Sequence, residues 1–179
     1  LTKKVNGEIR WTGEVRFVEE ALALPLSWRS PRRIFVNSMS DLFHEKVDPN
    51  DTARIFAVMA LAHWHTFQVL TKRPEQMASL FRIGLSDWVH QAAFHLGEYR
   101  LLGERLRLDF PWPLPNVHLG VSVEDPPTLR ARLPFLLETP AAVHWISYEP
   151  ALAGIDWNRE FCPPGGESWG SAVCWKPVD

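Results

Sequence analysis

A set of polar residues follows short apolar runs along this sequence, and their types could do chemistry. Asn37, Ser38 and Asp41 come after Arg33-Ile34-Phe35-Val36, and Thr71, Lys72 and Arg73 come after Phe67-Gln68-Val69-Leu70. Ser122 and Glu124 follow Asn116 to Val121, and Ser147 and Glu149 follow Val143-His144-Trp145-Ile146. Amide, hydroxyl and carboxylate groups at 37–41 suit a ligand loop, or a turn capped by its own side chains. Lys72 and Arg73 beside Pro74 place two cations at a helix start, a geometry for phosphate or carboxylate, or for solvated surface charge. Glu124 and Glu149, at similar positions after consecutive runs, could form an acid/base pair, hold an amine, or serve as structural caps.

The remaining reactive types carry less. His118 and His144 sit inside apolar runs, where a packed histidine is expected, and no H-E-x-x-H spacing occurs. His63-Trp64-His65 closes a helical stretch, where cations complement the macrodipole. Trp28 and Trp145 are expected to pack. Cys162 and Cys174 are too few for a zinc or iron–sulfur site and read as unpaired cytosolic thiols. Gly165-Gly166-Glu167-Ser168 is a weak Gly-rich signal.

The elements that must position these groups repeat a grammar of strand, polar loop and helix. Strands are expected at 33–37, 66–70, 116–121 and 143–146. Helices are expected from Pro49, with Ile55, Phe56, Met59 and Ala62 on one face, from Pro74, with Met77, Leu80 and Phe81 inward, and from Pro126. Pro134 is expected to kink or split that last helix. A helical insertion occupies the stretch near 84–115. A hairpin is expected at the start, with 8–11 and 14–17 alternating around Thr12-Gly13, followed by a short helix at 18–24 closed by Pro25. The fold class is therefore α/β, a partial (β/α) barrel of mainly parallel strands with crossover helices, because a full barrel needs about 250 residues. The incomplete barrel spans 1–157, and 158–179 reads as an irregular tail.

Bulk properties bound the function. The 179 residues are 46% hydrophobic and 22% charged, with formal net charge −2. A pI near 6.4 excludes a basic field for non-specific nucleic-acid binding. No apolar run is long enough to span a bilayer, and Leu1-Thr2-Lys3-Lys4 is no signal peptide, so cytoplasm is the expected location. The lack of an initiator Met implies a start inside a longer gene product.

Several stretches are familiar together. Arg32-Arg33-Ile34-Phe35-Val36-Asn37-Ser38-Met39-Ser40-Asp41-Leu42-Phe43-His44-Glu45 resembles the signature of a phage-protein family known as domain of unknown function 5131. Trp11-Thr12-Gly13-Glu14-Val15-Arg16, Phe67-Gln68-Val69-Leu70-Thr71-Lys72-Arg73-Pro74, Asn116-Val117-His118-Leu119-Gly120-Val121-Ser122-Val123-Glu124 and Ser147-Tyr148-Glu149-Pro150 follow the family's order. The resemblance covers 11–157 and implies a radical-SAM-like partial barrel. It implies S-adenosylmethionine and a [4Fe–4S] cluster on three cysteines for the full-length family, with those cysteines upstream of Leu1 and none of the cofactor in this fragment. Asn37, Ser38, Asp41, Thr71, Lys72, Arg73, Ser122, Glu124, Ser147 and Glu149 then line the ligand pocket. The substrate, small molecule or macromolecule, is not specified. Gly165 to Ser168 departs from the family, where the motif follows a hydrophobic strand rather than Phe161-Cys162-Pro163-Pro164. Two rivals stand beside this reading: a metal-free barrel hydrolase using Glu124 and Glu149, and a non-catalytic binding module.

Overall fold

The computed structural model describes residues 2–5, 8–11, 14–98 and 109–161. Cys162, Cys174, the 165–168 glycine motif and most of the tail lie outside the described residues, as do Thr12-Gly13 and 99–108.

The opening hairpin forms one step earlier than the alternation suggests. β1 (Thr2–Val5) pairs antiparallel with β2 (Glu8–Trp11), and residues 14–17 are not in a strand. The two intervening residues in sequence are Asn6 and Gly7, the types most favoured in two-residue hairpin connections, a stronger signal than Thr12-Gly13. Two short helices follow, α1 (Glu19–Leu22) and α2 (Leu24–Ser27). Pro25 lies in the first turn of α2, where it opens a helix instead of closing one.

The main sheet contains β3 (Arg33–Val36), β4 (Thr66–Thr71), β5 (Val117–Val123) and β6 (Val143–Tyr148). Their order is β3-β4-β5-β6 and every pairing is parallel. Sequential order is what a (β/α) barrel segment has, because right-handed crossovers then place each connecting helix on the same face. The connecting helices are α3 (Pro49–Leu61), α4 (Pro74–Arg82), α5 (Leu85–Glu98) and α6 (Pro126–Glu138). β5 and β6 each run two residues past their expected ends, so Ser122 and Ser147 lie inside strands and pair with each other.

Alternation divides the sheet into two unlike faces. Val36, Val69, Leu119 and Ile146 join the core with Phe56 and Met59 of α3 and Leu129 and Leu133 of α6. Residues on the other face, Phe35, Gln68, Leu70, His118, Gly120 and Trp145, align across the strands and stand outside that core. α6 runs through Pro134 without a break, held by the buried Leu129, Leu133 and Leu136 on both sides of the missing N–H. The helical insertion is α5, whose buried Leu85, Val89 and Ala93 pack toward α3. Beyond Trp157 regular structure continues in α7 (Trp157–Phe161), where Phe161 touches the core.

His65 corrects the macrodipole reading of the 63–65 stretch. It is buried just past α3, its Nδ1 accepts from Arg32 N at 3.0 Å, and its Nε2 faces the Pro25 carbonyl at 2.9 Å. A ring nitrogen that accepts carries no proton, so this side chain staples α2 to the start of β3 and is no helix-end cation. Replacing it by Phe strands two polar backbone groups, which costs about 1–3 kcal/mol. A thermal melt of His65→Phe should therefore fall by roughly 2–10 °C for a domain of this size; an unchanged melt would show that water takes over both contacts.

Candidate functional site at the carboxyl ends of the strands

The four strands end at one edge, as parallel pairing requires, and that edge carries the polar residues noted above. Asp41 is its first anchor. Its Oδ1 accepts from Phe43 N at 3.0 Å and from the Thr71 hydroxyl at 2.8 Å; Oδ2 accepts from Lys72 N and Arg73 Nη1, both at 3.1 Å. The Thr71 oxygen in turn accepts from Arg73 N at 2.8 Å. Arg73 reaches Glu45 as well, Nε to Oε2 at 3.3 Å. The loop after β3 is thereby tied to the end of β4.

Glu124 is the second anchor. Lys72 Nζ donates to its Oε1 at 2.6 Å and Arg132 Nη1 to its Oε2 at 2.9 Å, while the same Arg132 nitrogen donates to the Ser122 carbonyl at 2.7 Å. The backbone N–H of Glu124 donates to Thr128, whose hydroxyl and N–H complete the capping box with Asp125 at the start of α6. The Glu124 carbonyl accepts from Leu152 N at 2.8 Å, which fastens the loop after β6. Burial alone would raise the Glu124 carboxyl, but hydrogen bonds and charge from Lys72 and Arg132 outweigh it and leave its pKa below the ordinary value. A general acid needs the opposite shift, so Glu124 is built as an ionised anchor.

Not every expected residue enters this network. Thr71, Lys72, Arg73, Asp41 and Glu124 are brought together, and Ser122 joins through its backbone. Asn37 adopts a left-handed conformation (φ 58°), which Asn tolerates well, and its carbonyl accepts from Ser40 N at 3.1 Å. Its side chain and that of the exposed Ser38 make no hydrogen bond among the described residues, so the turn explanation accounts for 37–40. Glu149 is exposed and accepts from the Ser147 hydroxyl at 2.9 Å. Lys72 pairs with Glu124, and Arg73 turns to Asp41 and Glu45, so neither cation serves Glu149. Arg132 and Glu45 are the participants not singled out from sequence. Arg132 had a readable signal: with Leu129, Leu133 and Leu136 it falls on one helical stripe, and a cation on a buried stripe calls for a carboxylate.

The model of a protein family of unknown function, DUF5131, matches residues 2–177. The chain belongs to that family. No curated protein and no solved structure matches it. Family membership thus covers both anchors and the open sheet face, and no helix among the described residues is long and apolar enough to cross a membrane.

The depressed Glu124 pKa has a signed consequence. A carboxyl held low in the fold contributes stability fully above its unfolded value and loses it as pH falls through the folded value. Glu124→Gln should be less stable than wild type at pH 7, and the gap should narrow progressively below about pH 4.3. Denaturant melts of both proteins between neutral and acidic pH test this, and a gap independent of pH would contradict it.

Proposed function

We propose that this DUF5131 chain is the ligand-binding part of a radical-SAM-like protein of phage or prophage origin, and that its strand-end rim receives a small zwitterionic ligand. The observation that carries the reading is the Lys72–Glu124 pair, which bridges the ends of β4 and β5 with a Lys72 side chain 52% exposed. Carboxyl strand ends are where parallel α/β sheets bind ligands. Around that pair, Asp41, Glu45 and Glu124 balance Lys72, Arg73 and Arg132, so the rim matches a ligand bearing both charges better than a phosphate. The methionine end of S-adenosylmethionine has that chemistry: an ammonium and a carboxylate.

In this reading Lys72 is the exchangeable partner. It swings from Glu124 to the ligand carboxylate, and the released Glu124 oxygen accepts from the ligand ammonium. Arg132 stays on the other oxygen and keeps Glu124 ionised throughout. Arg73, bound to Asp41 and Glu45, holds the β3 loop in place. Calorimetric titration with S-adenosylmethionine should give saturable binding to wild type and to Glu138→Gln, a surface control. Lys72→Met should weaken it about tenfold, corresponding to the ~1.5 kcal/mol of a weaker charge-assisted hydrogen bond. Equal affinity for Lys72→Met and wild type would remove the rim from the reading.

The residues of this chain do not fit a [4Fe–4S] cluster. Such a site takes three thiolates in this enzyme class, the sequence contains Cys162 and Cys174, and among the described residues no group of three or more His, Cys, Asp or Glu could hold a metal. No step is therefore assigned to a cluster here. Anaerobic addition of iron and sulfide to this chain should leave no stable cluster absorbance after desalting; a stoichiometric cluster would overturn that account. Radical chemistry of this class requires a reducing compartment, so the same reading places the protein in the cytoplasm.

A further inference from the structure

Formal charge is divided unequally between the two ends of the main sheet. At the carboxyl ends of the strands, Asp41, Glu45 and Glu124 are balanced by Lys72, Arg73 and Arg132. The amino ends lie together at the opposite edge, because all four strands are parallel, and the chain enters them through 28–33, 62–66, 114–117 and 139–143. Those segments contain Arg29, Arg32 and Arg33 and no Asp or Glu. Glu138, at the end of α6, pairs with Arg82, so that couple adds no net charge. A net charge of −2 over the chain therefore coexists with a local excess of three cations. All three arginines are exposed, and none pairs with a carboxylate among the described residues.

Arg32 is held in place before any ligand arrives. Its backbone N–H donates to His65 Nδ1 at 3.0 Å, and its carbonyl accepts from Thr66 N at 2.9 Å. Its guanidinium lies over the Trp28 ring, 4.5 Å from the centroid. Trp28 is fixed in turn: its carbonyl accepts from Trp64 Nε1 at 2.8 Å, and its ring meets that of His65 edge on at 6.0 Å. A guanidinium stacked on an indole keeps its N–H donors in its own plane, where an oxygen anion can reach them. The layout of the cations selects the kind of anion. Arg33 opens β3 on the face that carries Phe35, by strand alternation. Arg32 lies instead on Trp28, beside His65 and Trp64 on the helix side. The two cations straddle the sheet edge and cannot close on one phosphate, and Arg29 lengthens the row by at most about 14 Å of chain. His63 is exposed and stands edge to face on Trp64, with centroids 5.4 Å apart, so aromatic rings adjoin the row.

We infer that this amino-terminal edge of the sheet binds single-stranded nucleic acid, with Arg29, Arg32 and Arg33 on its backbone phosphates and His63 and Trp64 beside its bases. A row of cations with adjoining rings is how such strands are held without sequence preference, since every base has a face that can stack. A duplex is a poorer match, because its base faces are already covered. An anionic membrane is poorer as well, since that takes clusters of about four to eight cations. An acidic peptide would satisfy the arginines and leave the rings without a counterpart. The inference uses no residue of the rim, so it stands whether or not S-adenosylmethionine binds there.

Fluorescence anisotropy of a labelled oligodeoxythymidylate, titrated with the full chain at several salt concentrations, tests this. Binding should be saturable at low salt. The slope of log affinity against log salt should lie near −2, from about −0.7 for each of three phosphates on a single strand. Arg29→Ala and Arg33→Ala, both exposed and outside the core, should each weaken binding roughly fivefold and remove about 0.7 from the slope. Arg32→Lys separates stacking from charge: it should keep the slope and still weaken binding, because an ammonium lacks the flat fork. Arg159→Ala, which removes an exposed cation on α7, should change neither quantity, and thermal melts of each variant should match wild type. Three results would overturn the inference. They are no saturable binding by wild type, a salt slope indifferent to both Arg29→Ala and Arg33→Ala, or binding to phosphatidylserine vesicles or polyglutamate as tight as to the oligonucleotide.

Discussion

The Asp41 carboxylate holds four donors from two strand ends, and the shape of the rim follows from it. A carboxylate with most of its surface withdrawn from water is tolerated only when its oxygens are occupied. Phe43 N, the Thr71 hydroxyl, Lys72 N and Arg73 Nη1 fill those positions. The loop after β3 consequently cannot move independently of β4. Because Lys72 N is fixed by Asp41, its side chain leaves the β4 end toward β5, where it meets Glu124. One part-buried carboxylate therefore orients the cation that the second carboxylate uses.

Around this core of charge the supports are ordinary helix and sheet physics. Parallel pairing puts every strand end at one edge, and the capping box at Asp125 and Thr128 starts α6 directly below Glu124. α6 then supplies Arg132 from its buried stripe. The Leu152 N–H closes the rim on the β6 side by bonding to the Glu124 carbonyl. Surface pairs such as Arg54 with Glu19 and Arg82 with Glu138 contribute little by comparison, since exposed ion pairs are screened and cost side-chain entropy.

The two faces of the sheet divide the labour. Stability resides on the helix side, where Phe56, Phe67, Met77, Leu119 and Leu129 are all but inaccessible. On the other side the strands carry an indole on a glycine, a half-exposed phenyl ring and two partly exposed polar groups, Gln68 and His118. The rim lies at the end of both faces and is continuous with each.

Fold class, the four strands and the strand-end polar residues were legible in the sequence, because near-continuous apolar runs alternating with proline-led helices admit few architectures. Local signals misled where a stronger neighbour competed: Asn6-Gly7 outranked Thr12-Gly13 for the hairpin, and Pro25 opened a helix it was expected to close. Which carboxylate meets which cation was settled only by tertiary packing. Glu124 and Glu149 look equivalent along the chain, yet Glu124 draws Lys72 from β4 and Arg132 from α6, while Glu149 reaches no further than Ser147. The same holds for Trp145, whose flat seat depends on Gly120 of another strand. Residue types along a chain determine what each group can do, whereas pair chemistry depends on distances of a few ångströms between elements far apart in sequence, and these exist only once the strands are in register.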